Sequence, residues 1–165
     1  MYWIMSPKAV VRAPSILALP SDTEIRIDRT FNAPRSLVWR AFTDPKLQPR
    51  WMGPVQYKMT KSEMDVRTGG TYRWVWDVPP NELVIRGRFD EVSPPKRMVT
   101  TEFMEPYPEP SHNTTTFIEK DGRTTVSILM KLPTKEARDA VLATGMKDGM
   151  DEGYGRLDSL LKELA

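Results

Sequence analysis

Residues Gly145–Leu161 read GMKDGMDEGYGRLDSLL. Met146, Met150, Tyr154, Leu157, Leu160, Leu161 and Leu164 recur three or four positions apart, which is the spacing of one helix face. Helical character begins at Thr134, and Thr144-Gly145 predicts a break, because glycine is about 1 kcal/mol worse than alanine inside a helix. The polar residues between the apolar ones leave this helix a single face to bury. Most of the chain before it reads as strand, so that face must lie on a sheet.

Working outward, Glu24–Phe31 alternates, with Ile25, Ile27 and Phe31 on one side. Asn32 is placed to cap a helix through Leu37, Val38, Ala41 and Phe42, with Pro34 in its first turn. Asp44-Pro45 breaks that helix and starts a short second one from Leu47 to about Trp51, which Gly53-Pro54 ends. Strand-like runs follow at Val55–Val66, Thr71–Val78, Glu82–Val92, Arg97–Met104, Thr114–Glu119 and Thr124–Leu132. Turn signals separate them, including Gly69-Gly70, Pro79-Pro80, Pro94-Pro95 and Asp121-Gly122. Tight turns join antiparallel neighbours. The order is β-αα-β6-α: an α+β domain of about seven strands, curved round a long C-terminal helix.

Composition narrows the chemistry. With 24 Lys+Arg against 22 Asp+Glu, the formal charge of +2 is no nucleic-acid footprint. There is no cysteine, so disulfides, thiolate nucleophiles and Cys-ligated metals are excluded. The single histidine, His112, lies in a proline-rich stretch and reads as a solvated loop residue, and no Ser/His/Asp constellation can be built on it. No phosphate-binding glycine motif occurs. The reading is therefore no cofactor, no metal site and no assigned catalytic residue. Residues 1–21 carry Pro7, Pro14 and Pro20 and read as a flexible tail, with residues 22–165 as the domain. Trp3, Ile4 and Leu17 are the tail residues with the means to pack on the domain or a partner. Lys8, Arg12 and Pro14 interrupt any signal-like run, and no apolar stretch reaches about 20 residues. The expectation is a cytoplasmic protein, not inserted in a membrane.

Five strings, in this order, resemble one known family: FNAPRSLVWRAFTDP (Phe31–Pro45), RWMGP (Arg50–Pro54), VRTGGTYRW (Val66–Trp74), RGRFDEVSPPKRMVTTE (Arg86–Glu102) and the C-terminal string above. The family is that of the activator of the heat-shock-protein-90 ATPase, within the START-like, birch-pollen-allergen-like superfamily. The resemblance covers about residues 22–165. It implies a helix-grip fold, with a seven-stranded sheet gripping the last helix and a cavity between them. It also implies binding of lipids, sterols, polyketides or other apolar molecules, and leaves a chaperone partner open.

The residues expected to line such a cavity follow from alternation. Tyr72, Trp74 and Trp76 share one face of their strand. Phe89, Phe103 and Phe117 from other strands, and Met146, Met150 and Tyr154 from the helix, complete an apolar wall, with Trp51 closing one end. Trp39 reads as helix packing. Glu102, between Thr101 and Phe103, is the carboxylate best placed to be buried. Arg86 and Arg88 are expected on the opposite, wet face, and Leu83, Ile85, Gly87 and Phe89 on the inner one. The leading expectation is a small-molecule carrier, monomeric or homodimeric. The alternatives are a cavity enzyme using a buried carboxylate and a protein-interaction module.

Overall fold

The computed structural model describes residues 15–165. The strands are β1 (Ile16–Ala18), β2 (Glu24–Phe31), β3 (Lys58–Met64), β4 (Thr71–Val78), β5 (Asn81–Ser93), β6 (Arg97–Met104), β7 (Ser111–Lys120) and β8 (Arg123–Lys131). The helices are α1 (Arg35–Thr43), α2 (Lys135–Ala143) and α3 (Met146–Leu164), with one 3-10 turn at Gln48–Arg50. The strands form one antiparallel sheet in the order β1-β2-β8-β7-β6-β5-β4-β3. Strands β3 to β8 are a meander of neighbours in sequence. Strand β2 joins at the β8 edge, so α1 and the 3-10 turn must carry the chain from that side to β3 on the other. Helix α3 then lies back over the inner face. No helix among the described residues is long and apolar enough to cross a membrane.

The eighth strand is a correction. The segment 1–21 was expected as tail, yet Ile16, Leu17 and Ala18 pair with Asp28, Ile27 and Arg26 of β2. The open edge of β2 has backbone groups to satisfy, and α3 supplies a second tie. The buried Asp151 carboxylate, 3% exposed, accepts from the Ser15 backbone N–H at 2.7 Å and from its hydroxyl at 2.6 Å. Leu17 packs with Ile25, Ile27, Leu132, Val141 and Met146. Residues 1–14, with Trp3 and Ile4, lie outside the described residues.

Helix α1 starts later than Asn32 predicts. Pro34 holds the capping position in extended conformation and offers no side-chain cap. The Arg35 backbone N–H instead donates to Glu119 Oε1 of β7 at 2.6 Å. A carboxylate from the sheet thus does what a local Asn would do. The break between α2 and α3 falls where it was expected, with Gly145 at φ +77°. Thr134 caps α2 by accepting from the Ala137 N–H at 3.0 Å.

The core sits where α1 and the C-terminal half of α3 meet the sheet. Phe31, Val38, Ala41, Phe117, Val126 and Leu157 are sealed from solvent. Phe117 meets Trp39 and Phe42 edge-on, with ring centroids 5.0 and 5.3 Å apart. Phe31 meets Tyr154 edge-on at 5.2 Å. An ion pair fixes the helix axially: the buried Arg29 donates to Asp158 at 2.8 and 2.6 Å in a two-bond fork.

The turn after the 3-10 helix is pinned by one glycine. Gly53 has φ +93°, and a Cβ there would lie 2.1 Å from Trp76 Nε1. Its carbonyl accepts a hydrogen bond from Arg156 of α3. Gly53→Ala combines an unfavourable backbone region with overpacking, so a loss of at least about 2 kcal/mol is expected in urea unfolding. A loss below about 0.5 kcal/mol, the range of ordinary surface changes, would show that the indole has room to move.

Candidate functional site

The sheet register assembles the site in rows. Tyr72 on β4 pairs with Gly87 on β5, Gly87 pairs with Glu102 on β6, and Glu102 pairs with Ser111 on β7. The next row runs Phe89, Thr100, Asn113 and Met130. The last runs Met98, Thr115 and Ile128. All of these except Gly87 line a cavity of about 150 Å³ beneath the N-terminal half of α3. Met146, Met150, Gly153 and Tyr154 cover it from α3, and Phe42, Gln48, Trp51 and Met52 close the α1 end.

Gly87 is absent from the wall because Tyr72 lies across it. A Cβ on Gly87 would fall 2.3 Å from the phenol oxygen and from the ring. The missing side chain lets the Tyr72 ring cross β5 and reach the next strand. There its hydroxyl donates to Glu102 Oε1 at 2.8 Å. Asn113 Nδ2 reaches Glu102 Oε2 at the long distance of 3.4 Å. Asn113 itself is 7% exposed, and its Oδ1 has no partner among the described residues. Tyr72 also packs on Trp74 and Phe89, with centroids 4.5 and 5.1 Å away. Three polar side chains therefore converge in one corner of a cavity whose remaining wall is mostly aromatic, aliphatic and thioether, with Gln48, Thr100, Ser111 and Thr115 as its other polar side chains.

The electrostatics follow from burial. Desolvation pushes the Glu102 carboxyl above its usual range, opposed by the hydrogen bonds from Tyr72 and Asn113. Burial, together with the Glu102 charge beside it, holds the Tyr72 phenol well above its ordinary value, so it stays a neutral donor. Burial does the same to Tyr154. Among the described residues that line the cavity there is no Lys, Arg or His, and Glu102 is the one acidic side chain. No group of three or more His, Cys, Asp or Glu among the described residues is placed to hold a metal ion.

Of the residues expected at a cavity, the structure brings together Trp51, Tyr72, Trp74, Phe89, Glu102, Met146, Met150 and Tyr154. It places three elsewhere. Phe103 follows Glu102 directly, so strand alternation turns it to the opposite face, where the Arg86 guanidinium lies 4.4 Å over its ring. Phe117 is on an inward face, but Trp39 and Phe42 occupy it. Trp76 is buried against Gly53, beyond the end of the cavity. His112 is in β7 rather than in a loop, with its Nδ1 3.2 Å from the Thr101 hydroxyl on the outer face. Arg86 and Arg88 are on that outer face too, bonded to Glu105 and Asp90.

Sequence reading missed Asn113, Thr100 and Gly87 as parts of the site. Gly87 carried a signal: a glycine inside an alternating strand marks a place where another group comes close. Asn113 shows its role only through the register that sets it beside Glu102.

A curved antiparallel sheet closed by a C-terminal helix, with a cavity between them, defines a helix-grip protein of the START-like class. The family model described as "Activator of Hsp90 ATPase homolog 1-like protein" matches residues 32–162, and the chain belongs to that family. No curated protein matches the chain. Among solved structures, a Rhodobacter sphaeroides protein is 30% identical, with a TM-score of 0.85 over 92% of this chain and 99% of that one. Protein Ms6760 from Mycobacterium smegmatis, 24% identical, shares the fold with a TM-score of 0.81 over 92% of this chain and 100% of its own.

The buried carboxyl has a stability signature. Folded Glu102 holds its proton more tightly than it does in the unfolded chain, so its contribution to stability falls as pH rises through that interval. Glu102→Gln removes the titration while keeping an acceptor for Tyr72. The Tm of the variant minus that of the parent should therefore grow between about pH 4 and pH 7. A difference that shrinks over that range would mean the carboxylate is better stabilised when folded than when unfolded.

Proposed function

We propose that this protein binds a small apolar or amphipathic molecule in the cavity between the sheet and α3. The observation that carries this reading is the cavity itself, built from aromatic rings on β4 and β5 and thioethers on α3. Met146 and Met150 adapt to irregular shapes, and Trp74, Tyr72 and Phe89 offer broad rigid area. The volume of about 150 Å³ suits a molecule of roughly one aromatic ring. Binding then draws on apolar burial, at about 25 cal/mol per Å² before association is offset. Membership of the START-like class supports the same reading. The chemistry of the site, rather than the fold, has to decide the ligand.

Toluene and indole, titrated while amide chemical shifts and tryptophan fluorescence are followed, should give saturable changes centred on Trp74, Phe89 and Met150. Met150→Trp fills the space from the helix side. It should abolish the response while the circular-dichroism spectrum and cooperative melting are retained. A parent protein with no saturable response to any one-ring or two-ring molecule would leave the cavity a packing feature, and the reading would fail.

A further inference from the structure

We infer that the cavity selects a neutral, one-ring-sized molecule bearing an O–H donor, and that this donor docks on Glu102 Oε2 and Asn113 Oδ1. The inference rests on the proposed binding function and goes further in naming what is bound.

Unmet acceptors carry it. Tyr72 occupies Glu102 Oε1 at 2.8 Å, whereas among the described residues Oε2 has only the 3.4 Å contact from Asn113. Asn113 Oδ1 has no partner among the described residues, although the side chain is 7% exposed. Both residues line the cavity. A buried acceptor left unmade is unfavourable, so a site of this kind discriminates for a ligand that supplies the missing hydrogen. Trp74 belongs to the same wall, and its buried Nε1 also lacks a partner among the described residues, so the wall holds an unused donor besides the unused acceptors. A hydroxyl gives one hydrogen bond and accepts another, so it matches both sets. An ether or a hydrocarbon does not.

The charge pattern excludes a second class. A carboxylate or phosphate entering the cavity would meet the Glu102 carboxyl and, among the described lining residues, no cation. Anions of that size would lose their hydration without a counter-charge. The Tyr72 hydroxyl is held by Glu102 and offers them no free donor.

Four probes of similar size separate these outcomes: p-cresol, toluene, acetophenone and benzoate. Titrated at neutral pH by the same amide shifts, p-cresol should bind about tenfold more tightly than toluene and acetophenone, and benzoate should show no saturable binding. In Glu102→Leu the preference should vanish, with toluene binding at least as well as in the parent and p-cresol losing about tenfold. Glu102→Gln, which keeps the acceptor, should retain p-cresol, and it guards against a Leu variant that fails to fold. If toluene and p-cresol bind alike, the cavity reading stands and the docking inference falls. Acetophenone as the tightest ligand overturns the inference as well, because the carboxyl would then be giving the hydrogen bond. If none of the four binds, the docking inference falls, and if indole fails as well the cavity reading falls with it.

Discussion

The fork between Arg29 and Asp158, with bonds of 2.8 and 2.6 Å, fixes where α3 sits on the sheet, and the cavity depends on that seat. Arg29 lies on the inward face of β2, in line with Ile25, Ile27 and Phe31. A guanidinium there needs a carboxylate from the covering element. Asp158 supplies it one turn beyond Tyr154, whose ring stands edge-on to Phe31. Leu157, Leu160 and Leu161 then fill the space against α1. The C-terminal half of α3 is thus committed to the sheet. The N-terminal half is held at a different point, where Asp151 takes Ser15 and accepts from Lys147 at 2.7 Å. Held at these two points, the N-terminal half of α3 crosses the sheet with Met146, Met150, Gly153 and Tyr154 turned to the cavity.

The polar corner depends on the sheet rather than on the helix. A row of four paired residues, Tyr72, Gly87, Glu102 and Ser111, crosses four strands. A one-residue slip of β6 would turn Glu102 outward and bring Phe103 in. The register is therefore what makes the wall bear a carboxyl instead of a phenyl ring. Gly87 is the other half of the device. Any side chain there would meet the Tyr72 ring, and the phenol could not cross to β6. The position of one hydroxyl rests on a residue with no side chain.

Much of the fold was legible in the sequence because its signals are periodic. Alternation gave β2, β4, β5 and β8, helical spacing gave α3, and Gly145 gave the break before it. Strand β1 escaped because three residues between prolines carry no period, and their pairing depends on β2 and Asp151. The site was less legible for a geometric reason. Alternation says which residues share a face of one strand, but not what lies across from them. Phe117 reads as a wall residue until α1 is seen to cover it. Trp74 and Trp76 look equivalent until Gly53 is seen under the second indole. Glu102 and Phe103, adjacent in a strand, could never both face the cavity, and that much the period of two already required.

The Glu102 corner works against stability, which is why it bears on function. A leucine at that position would lie beside Tyr72 without desolvating a carboxyl, and buried polar clusters replaced by packed apolar groups are often neutral or stabilising. Nor does the cluster satisfy itself: Asn113 Oδ1 and Trp74 Nε1 are buried with no partner among the described residues. A corner that served packing alone would have its polar atoms paired or absent. Sites where a sequence departs from its own rules of burial are where function is expected to sit. The apolar rings and thioethers give the cavity its volume and much of any affinity. The unmet acceptors on β6 and β7 are what give it a means of choosing among molecules that fit.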